Sequence, residues 1–162
     1  MKKKRVLLLA LLSFLVLLLA FHEITAYESN LSDNEPFIID AELKALNQFN
    51  LAKSYYSGDG VEQDFGVAAK LYREVAEQGH PEAQVMIGFM YAEGRGVPQD
   101  FKTAAEWYLK AVEQDYVIAF TCLGALYFEG KGVAKNYEKA AQLFHKAAEQ
   151  GAADAQNYLG KM

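Results

Sequence analysis

The sequence is dominated by a unit of 36 residues that occurs three times in direct succession. The copies occupy residues 47–82, 83–118 and 119–154, and a fourth copy covers only residues 155–162. Eight columns are identical in all three copies, whereas ordinary residue frequencies would give fewer than about one. In the first copy these columns are Tyr55, Gly58, Gly60, Val61, Ala68, Ala69, Glu77 and Gln78. A repeat of this length is typical of chains whose units bury their apolar surface only by stacking on one another.

Each copy predicts two helices joined by a loop that contains Gly-x-Gly-Val. The paired glycines allow the left-handed backbone that ends the first helix and forms a tight turn. Three residues after the valine, each copy carries a residue of a type that favours helix N-caps. These residues are Asp64, Asp100 and Asn136. The second helices end at Gly79 and Gly151, and Asp115, which replaces this glycine in the second copy, is expected to adopt the same left-handed conformation.

Helical spacing also predicts the core. The first helices carry a large apolar residue followed by a small one, which lets helices approach closely. These pairs are Leu51-Ala52, Ile87-Gly88, Leu123-Gly124 and Leu159-Gly160. On the second helices, alanine pairs allow the same approach, and larger side chains fill the space between units, namely Leu71, Trp107, Leu143, Tyr72, Tyr108 and Phe144. The sequence therefore predicts an all-α fold in which helix-turn-helix units stack into an α-solenoid.

A basic and apolar segment precedes the repeats. Four basic residues at positions 2–5 are followed by residues 6–21, in which only Ser13 is polar. This order is the layout of a secretory signal, and the apolar run also approaches the length of a membrane-spanning helix. We predict that residues 1–26 form a hydrophobic helix, either a cleaved signal peptide or an uncleaved membrane anchor.

The segment divides the chain into three parts. Residues 27–38 are polar and predict a linker, and residues 39–162 form the predicted repeat domain. Both fates of the N-terminal helix predict an exported protein, periplasmic or secreted. If residues 6–21 are retained, they tether it to the inner membrane.

The repeat resembles the Sel-like (Sel-one) repeat family, a relative of the tetratricopeptide repeat. The resemblance covers residues 47–160 and rests on the motif A-Q-x-x-L-G-x-x-Y-x-x-G-x-G-V and on the segment A-A-x-x-[WLF]-[YF] that leads into A-x-E-Q-G. The departures are Asn47, Ala52, Phe120 and Asp115. The first two suggest that copy one is a terminal cap whose helix begins near Asp40 or Ala41. The resemblance implies a right-handed tetratricopeptide-like solenoid and a protein-interaction scaffold.

Charge excludes several classes of partner. The net charge is −5, and without residues 1–26 the chain has 12 Lys and Arg against 20 Asp and Glu, a net charge of −8. Nucleic-acid binding requires clustered Lys and Arg, so we expect no nucleic-acid partner. We expect membrane contact only through the N-terminal segment. The single cysteine, Cys122, is expected to be a small buried thiol.

A partner-binding stripe is predicted on the first helices. If these helices line the concave side, as in the tetratricopeptide relatives, three positions per unit remain after the core is assigned. They are Phe49, Lys53, Tyr56, Val85, Phe89, Ala92, Thr121, Ala125 and Phe128. Exposed aromatic side chains there would suit an extended or helical peptide. The alternative is that several of these residues belong to the core.

No catalytic or metal-binding motif stands out. Residues 32–34 read Ser-Asp-Asn, one short β-lactamase element, but the sequence contains neither S-x-x-K nor K-T-G. His22, His80 and His145 are isolated in sequence, and we expect no cofactor and no metal ligand among them. We predict a non-catalytic protein or peptide scaffold. The alternatives are a structural or regulatory subunit of an envelope complex and, remotely, a β-lactamase-like hydrolase.

Overall fold

The computed structural model describes residues 35–162, and within this range all regular structure is helical. The described residues contain seven helices: α1 (Glu35–Ser57), α2 (Phe65–Glu77), α3 (Pro81–Glu93), α4 (Phe101–Val112), α5 (Val117–Glu129), α6 (Tyr137–Glu149) and α7 (Ala153–Leu159). The chain divides into two compact units, residues 1–43 and 44–162. Of the first unit, only part of α1 is described. The second contains the rest of α1 and all of α2–α7.

Helices pair in the order that the repeat predicts. The helices α1 and α2 form the first copy, α3 and α4 the second, and α5 and α6 the third, while α7 begins the partial copy. From α2 onward, each helix packs on the next one along the chain. The prediction of an all-α fold built from helix pairs is confirmed for the described part of the chain.

The predicted helix starts are confirmed at all three second helices. Asp64, Asp100 and Asn136 are the N-cap residues of α2, α4 and α6. In each, a side-chain oxygen accepts hydrogen bonds from backbone N–H groups of the first turn, at 2.8 to 3.3 Å. These bonds satisfy donors that have no partner within the helix, which fixes where the helix begins.

The loops after the first helices explain the glycine pattern. Gly94 caps α3 with φ 68°, and Gly96 follows with φ 70°. A Cβ on Gly96 would overlap the backbone of Phe65, at the start of the preceding unit's second helix. Gly60, at the same repeat position in the first copy, has no atom within 4 Å of its Cβ direction. Gly96 therefore allows a close contact between units that Gly60 does not make.

The ends of the second helices match the expectation as well. Gly79 and Gly151 have φ 96° and 89°, and Asp115 has φ 55°. Asp115 is the only non-glycine residue with positive φ among the described residues. The left-handed turn therefore survives the loss of glycine in the second copy, because a short polar side chain tolerates this conformation better than most.

Small residues set the helix spacing within each pair. A Cβ on Gly88 of α3 would lie 2.7 Å from the Tyr108 ring of α4. A Cβ on Gly124 of α5 would lie 2.7 Å from the Phe144 ring of α6. Both rings are almost fully buried. The prediction that Gly88 and Gly124 let the helices approach closely is confirmed at both sites.

Two expectations about the first copy are wrong. Leu51 is 44% exposed although we expected it in the core, because the described residues supply no unit that covers this face of α1. The helix α1 begins at Glu35 and not near Asp40, so residues 35–38 of the predicted linker are helical. Residues 1–26, including the predicted hydrophobic helix, lie outside the described residues. None of the helices within residues 35–162 combines the length and apolar character needed to cross a membrane.

Candidate binding surface

The nine residues of the predicted stripe divide by burial. Three of them are covered by neighbouring helices, belong to the core and have almost no exposed surface. These are Phe49, Val85 and Ala92. The other six keep exposed surface. They are Lys53, Tyr56, Phe89, Thr121, Ala125 and Phe128. Lys53 is exposed and the other five are half-buried, so the stripe is narrower than the sequence pattern predicted.

Phe49 shows why spacing alone did not separate surface from core. Its ring packs edge-on against Tyr72 at 5.5 Å between centroids and stacks on the His80 ring at 4.9 Å. His80 also caps α3, because its Nδ1 accepts a hydrogen bond from the backbone N–H of Ala83 at 3.3 Å. His80 therefore has a structural role, which explains its place before Pro81.

Arg95 joins stripe residues of two units. It is the middle residue of the second Gly-x-Gly loop and donates a hydrogen bond to the Tyr56 hydroxyl at 2.7 Å. Its guanidinium carbon lies 5.9 Å from the Tyr56 ring centroid and 5.6 Å from that of Phe89, within the range of cation–π attraction. Arg95 therefore holds Tyr56 of the first copy beside Phe89 of the second.

Sequence reasoning missed Arg95 because the position carries Asp59 in the first copy and Lys131 in the third. The available signal was a cation between two glycines in two of the three copies. The third copy repeats part of the arrangement, since the Lys131 ammonium lies 5.3 Å from the Phe101 ring. A basic residue of the loop thus lies over an aromatic ring of the preceding unit in both cases.

Phe128 belongs to an aromatic cluster at the C-terminal end. Its ring packs edge-on against Tyr137 at 5.4 Å and against Tyr158 at 6.1 Å. Tyr158 in turn stacks on the buried Phe144 ring at 4.6 Å. Phe128 is therefore held in place by α6 and α7 while part of its surface stays exposed.

A cavity of about 390 Å³ opens beside the C-terminal part of the stripe. Its wall on α5 includes the stripe residues Thr121 and Ala125, and its opposite wall carries Asp154, Asn157, Tyr158 and Lys161. The Thr121 hydroxyl is buried and has no hydrogen-bond partner among the described residues. The cavity thus offers a mixed polar and apolar surface at the place where the stripe meets α7.

Cys122 also lines this cavity and is half-buried, not fully buried as we expected. Burial raises the pKa of its thiol to about 11. A hydrogen bond with the Tyr108 hydroxyl partly opposes this by favouring the thiolate. Because the thiolate is the nucleophilic form, Cys122 is a poor nucleophile at neutral pH.

The other chemical candidates have ordinary surroundings. His145 is exposed on α6, while His22 and the Ser-Asp-Asn tripeptide at 32–34 lie outside the described residues. In the range 35–162, no three His, Cys, Asp or Glu side chains are placed to hold a metal ion.

Comparisons with known proteins agree on the repeat. A family model described as Sel1 repeat matches residues 48–80, 81–116 and 123–151, which together make up more than half of the chain. These three matches overlap the three copies found in the sequence. A search of the curated proteins returned no match.

Two solved structures share 37% sequence identity with the chain. One is a protective antigen present in uropathogenic Escherichia coli strains, displaying an SLR fold, with a TM-score of 0.72 over 75% of this chain and 26% of that chain. This chain therefore spans about a quarter of that protein. The other is a Sel1 repeat protein from Oxalobacter formigenes, with a TM-score of 0.66 over 77% of this chain and 98% of that chain.

A third structure supports the fold alone. The cysteine rich protein B of Helicobacter pylori shares 24% identity, with a TM-score of 0.57 over 71% of this chain and 92% of that chain. Helix pairs stacked in the same manner therefore occur in proteins with quite different sequences.

Proposed function

Since the chain belongs to the Sel1 repeat family, as its motifs indicated, we propose that it is a non-catalytic scaffold, a right-handed solenoid that binds a protein or peptide partner. Repeats of this family generally mediate contacts between proteins, and they are typically not catalytic. The proposed contact surface is formed by α1, α3 and α5. The observation that carries the proposal is the Arg95 contact, which assembles half-exposed aromatic rings of two units into one surface.

The surface combines features that suit a peptide. Lys53 and Tyr56 lie one turn apart on α1, so their side chains share a face. Phe89 and Phe128 offer ring surface in neighbouring units, and the cavity beside Ala125 offers polar groups. Aromatic anchors with a few polar groups between them are typical of surfaces that bind extended or helical segments.

Site-specific photocrosslinking in the native cells tests this surface. A photoreactive amino acid is placed at Lys53, at Ala125 or, as a control, at Lys70, which is exposed on the second helix α2. We expect the same partner to be attached from the first two positions and not from Lys70. Equal yields from all three positions would argue against a surface restricted to the first helices.

Substitution separates binding from folding. We expect Phe89→Ser and Phe128→Ser to reduce partner capture strongly, because each removes an aromatic anchor. The matched control is Ile118→Ser, which removes a side chain that is 53% exposed on α5 outside the stripe. Circular dichroism must show helical, cooperatively folded variants. If Phe89→Ser and Phe128→Ser unfold the protein, these rings are core residues and not anchors.

We propose in addition that the repeat domain is exported, as a periplasmic or secreted protein. This rests on the four basic residues at 2–5 followed by the apolar segment 6–21. Mass spectrometry of the mature N-terminus distinguishes cleavage after residue 26 from retention as an inner-membrane anchor. Resistance of the domain to external protease in spheroplasts would argue against export.

Purification of the chain together with its partner distinguishes the alternative role in an envelope complex. If a single protein co-purifies and is released at high salt, the chain is a scaffold for a soluble ligand. Co-purification in a stable assembly of several subunits supports a structural or regulatory subunit. Turnover of a labelled β-lactam would support the hydrolase.

A further inference from the structure

A second groove lies on a different part of the surface, between the second helices of neighbouring units. It has a volume of about 310 Å³ and is lined by residues of α4, α5 and α6. A smaller cavity of about 230 Å³ continues it and shares Leu109, Leu123 and Tyr127. None of the nine stripe residues lines either cavity. The groove is therefore separate from the surface proposed above.

The repeat explains why this groove is open. One unit earlier, the place of Leu143 is taken by Trp107, whose side chain is only 9% exposed and packs into the core shared with α2 and α3. The place of Leu109 is taken by Arg73, which donates a hydrogen bond to the Tyr91 hydroxyl at 2.8 Å. Leu143 and Leu109 are shorter and leave that space unfilled between α4 and α6.

The floor of the groove also differs from its counterpart. Gln84 in the second copy is buried, donates to the carbonyl of Ala76 at 3.2 Å and accepts from the Gln114 amide at 2.8 Å. The third copy has Phe120 at this position, and the Phe120 ring lines the groove. The departure from the family motif at Phe120 thus replaces an internal polar bridge with a buried aromatic ring beneath the groove.

The charged residues along the groove are mostly lysines. Lys139 and Lys146 line the main cavity, and Lys102 lines its continuation together with the only acidic lining residue, Glu106. The Lys146 ammonium lies 5.3 Å from the Phe120 ring, and the Lys139 ammonium lies 5.3 Å from the Tyr127 ring. These lysines therefore extend over the apolar floor.

No carboxylate of the described residues lies within 4.0 Å of the Lys102, Lys139 or Lys146 ammonium group. Among the described residues, the one ion pair closer than 4.0 Å joins Lys131 to Glu129, which lie outside the groove. The chain as a whole carries a net charge of −5. A positive rim on an acidic protein is complementary to an acidic segment, and an apolar floor is complementary to an apolar side chain.

We propose that the groove between α4 and α6 binds an acidic peptide segment of a partner protein that also carries an apolar anchor. The anchor packs on Leu109, which is 49% exposed, and on the half-buried Leu143, above the buried Phe120 ring. Carboxylates of the segment pair with Lys139 and Lys146. The groove acts as a second contact that is independent of the stripe. The stripe and the groove therefore bind either two segments of one partner or two different partners.

The first test uses defined peptides and the full-length chain. A fluorescein-labelled peptide of twelve alternating Glu and Leu residues is titrated by fluorescence polarisation. The comparison peptides replace every Glu by Lys or every Leu by Ser. We expect the Glu-Leu peptide to bind at least about tenfold more tightly than either, and to weaken as salt rises. Equal affinity for the Lys-Leu peptide, or no binding of the Glu-Leu peptide, would overturn the proposal.

Variants then locate the binding site. Leu143→Trp restores the residue that fills the equivalent space in the second unit, so it should close the groove with the fold intact. The double variant Lys139→Glu and Lys146→Glu reverses the rim charge. We expect each to weaken binding of the Glu-Leu peptide by about tenfold or more. Controls are Leu71→Trp and Lys70→Glu in the first unit, which should change the affinity by less than about twofold.

Other occupants have distinct signatures. Concentration-dependent dimerisation that Leu143→Trp abolishes would show that a second copy fills the groove, and binding of phosphatidylserine vesicles without peptide binding would show a lipid surface. Either result overturns the proposal. Crosslinking of the partner from Lys53 should persist in the Leu143→Trp variant, because Lys53 lies on α1 and the groove is lined by α4, α5 and α6. The scaffold function and the groove can therefore fail separately.

Discussion

Replacing Gly96 by Ala introduces a methyl group at a close contact between two repeat units. The added Cβ would overlap the carbonyl group of Phe65 and the backbone nitrogen of Gly66. Backbone atoms at a helix start cannot move aside as a flexible side chain can. Gly60 occupies the same repeat position, has nearly the same φ, and has no atom within 4 Å of the new methyl group. A comparison of Gly96→Ala with Gly60→Ala therefore separates the cost of the contact between units from the cost of the left-handed backbone.

The magnitudes follow from these two costs. An alanine in the left-handed region costs about 1–2 kcal/mol, and the smaller entropy of the unfolded chain returns about 0.4–1 kcal/mol. We therefore expect Gly60→Ala to lower the free energy of unfolding by about 1 kcal/mol. Gly96→Ala adds overpacking of about 1–3 kcal/mol, for a total loss of about 2–4 kcal/mol. Gly132→Ala, which meets the backbone of Phe101 in the same way, should match Gly96→Ala.

Urea denaturation followed by circular dichroism at 222 nm measures this series. With a urea slope of about 2 kcal/mol per molar, a difference of about 2 kcal/mol separates the midpoints of Gly60→Ala and Gly96→Ala by about 1 M. Far-UV spectra before denaturation serve to check that each variant is folded. Coincident midpoints for the three variants would refute the argument that these loops are constrained by the preceding unit.

Three further outcomes are expected. Asn136→Ala should destabilise the protein by about 1 kcal/mol by removing the α6 N-cap, with Asn136→Asp close to wild type in urea denaturation; equal losses would contradict a capping role. Burial raises the pKa of the Cys122 thiol to about 11, so the rate of its alkylation by iodoacetamide, followed by mass spectrometry, should still rise about tenfold per pH unit at pH 9.5. In urea the rate should level off near pH 9, and the same plateau in the folded protein would contradict the burial of this thiol. Burial raises the pKa of Tyr72 to about 12, so the folded state holds this proton more tightly and the free energy of unfolding should fall as the pH rises from 10 to 12. The Tyr72→Phe variant should lose less stability over this range, and an equal loss would show that other groups cause the effect.

Much of the fold was predictable because its determinants are local and are repeated three times. Asp64, Asp100 and Asn136 each cap the helix that follows within a few residues, so the sequence reveals them without knowledge of the packing. Gly88 has no room for a Cβ, because the Tyr108 ring, twenty residues later in the same unit, lies against it. Contacts inside one unit recur at fixed spacing, and the repeat exposes them.

Contacts that depend on neighbouring units were harder to predict. Leu51 follows the same pattern as Ile87, yet one is exposed and the other is buried, because burial depends on what lies beside the helix. The reach of Arg95 to Tyr56 crosses 39 positions of the chain and occurs in one copy only. The groove between α4 and α6 follows from differences between copies, such as Trp107 against Leu143, whereas the repeat is recognised by the residues that the copies share.

The contact of Gly96 on Phe65 gives the assembly of the chain a direction. The loop of each unit covers the start of the second helix in the unit before it, at Phe65 for the second copy and at Phe101 for the third. During synthesis the N-terminal unit emerges first, and it cannot complete its surface until the next loop has left the ribosome. The packing of the first and second units is therefore complete only when the loop of the following unit is in place.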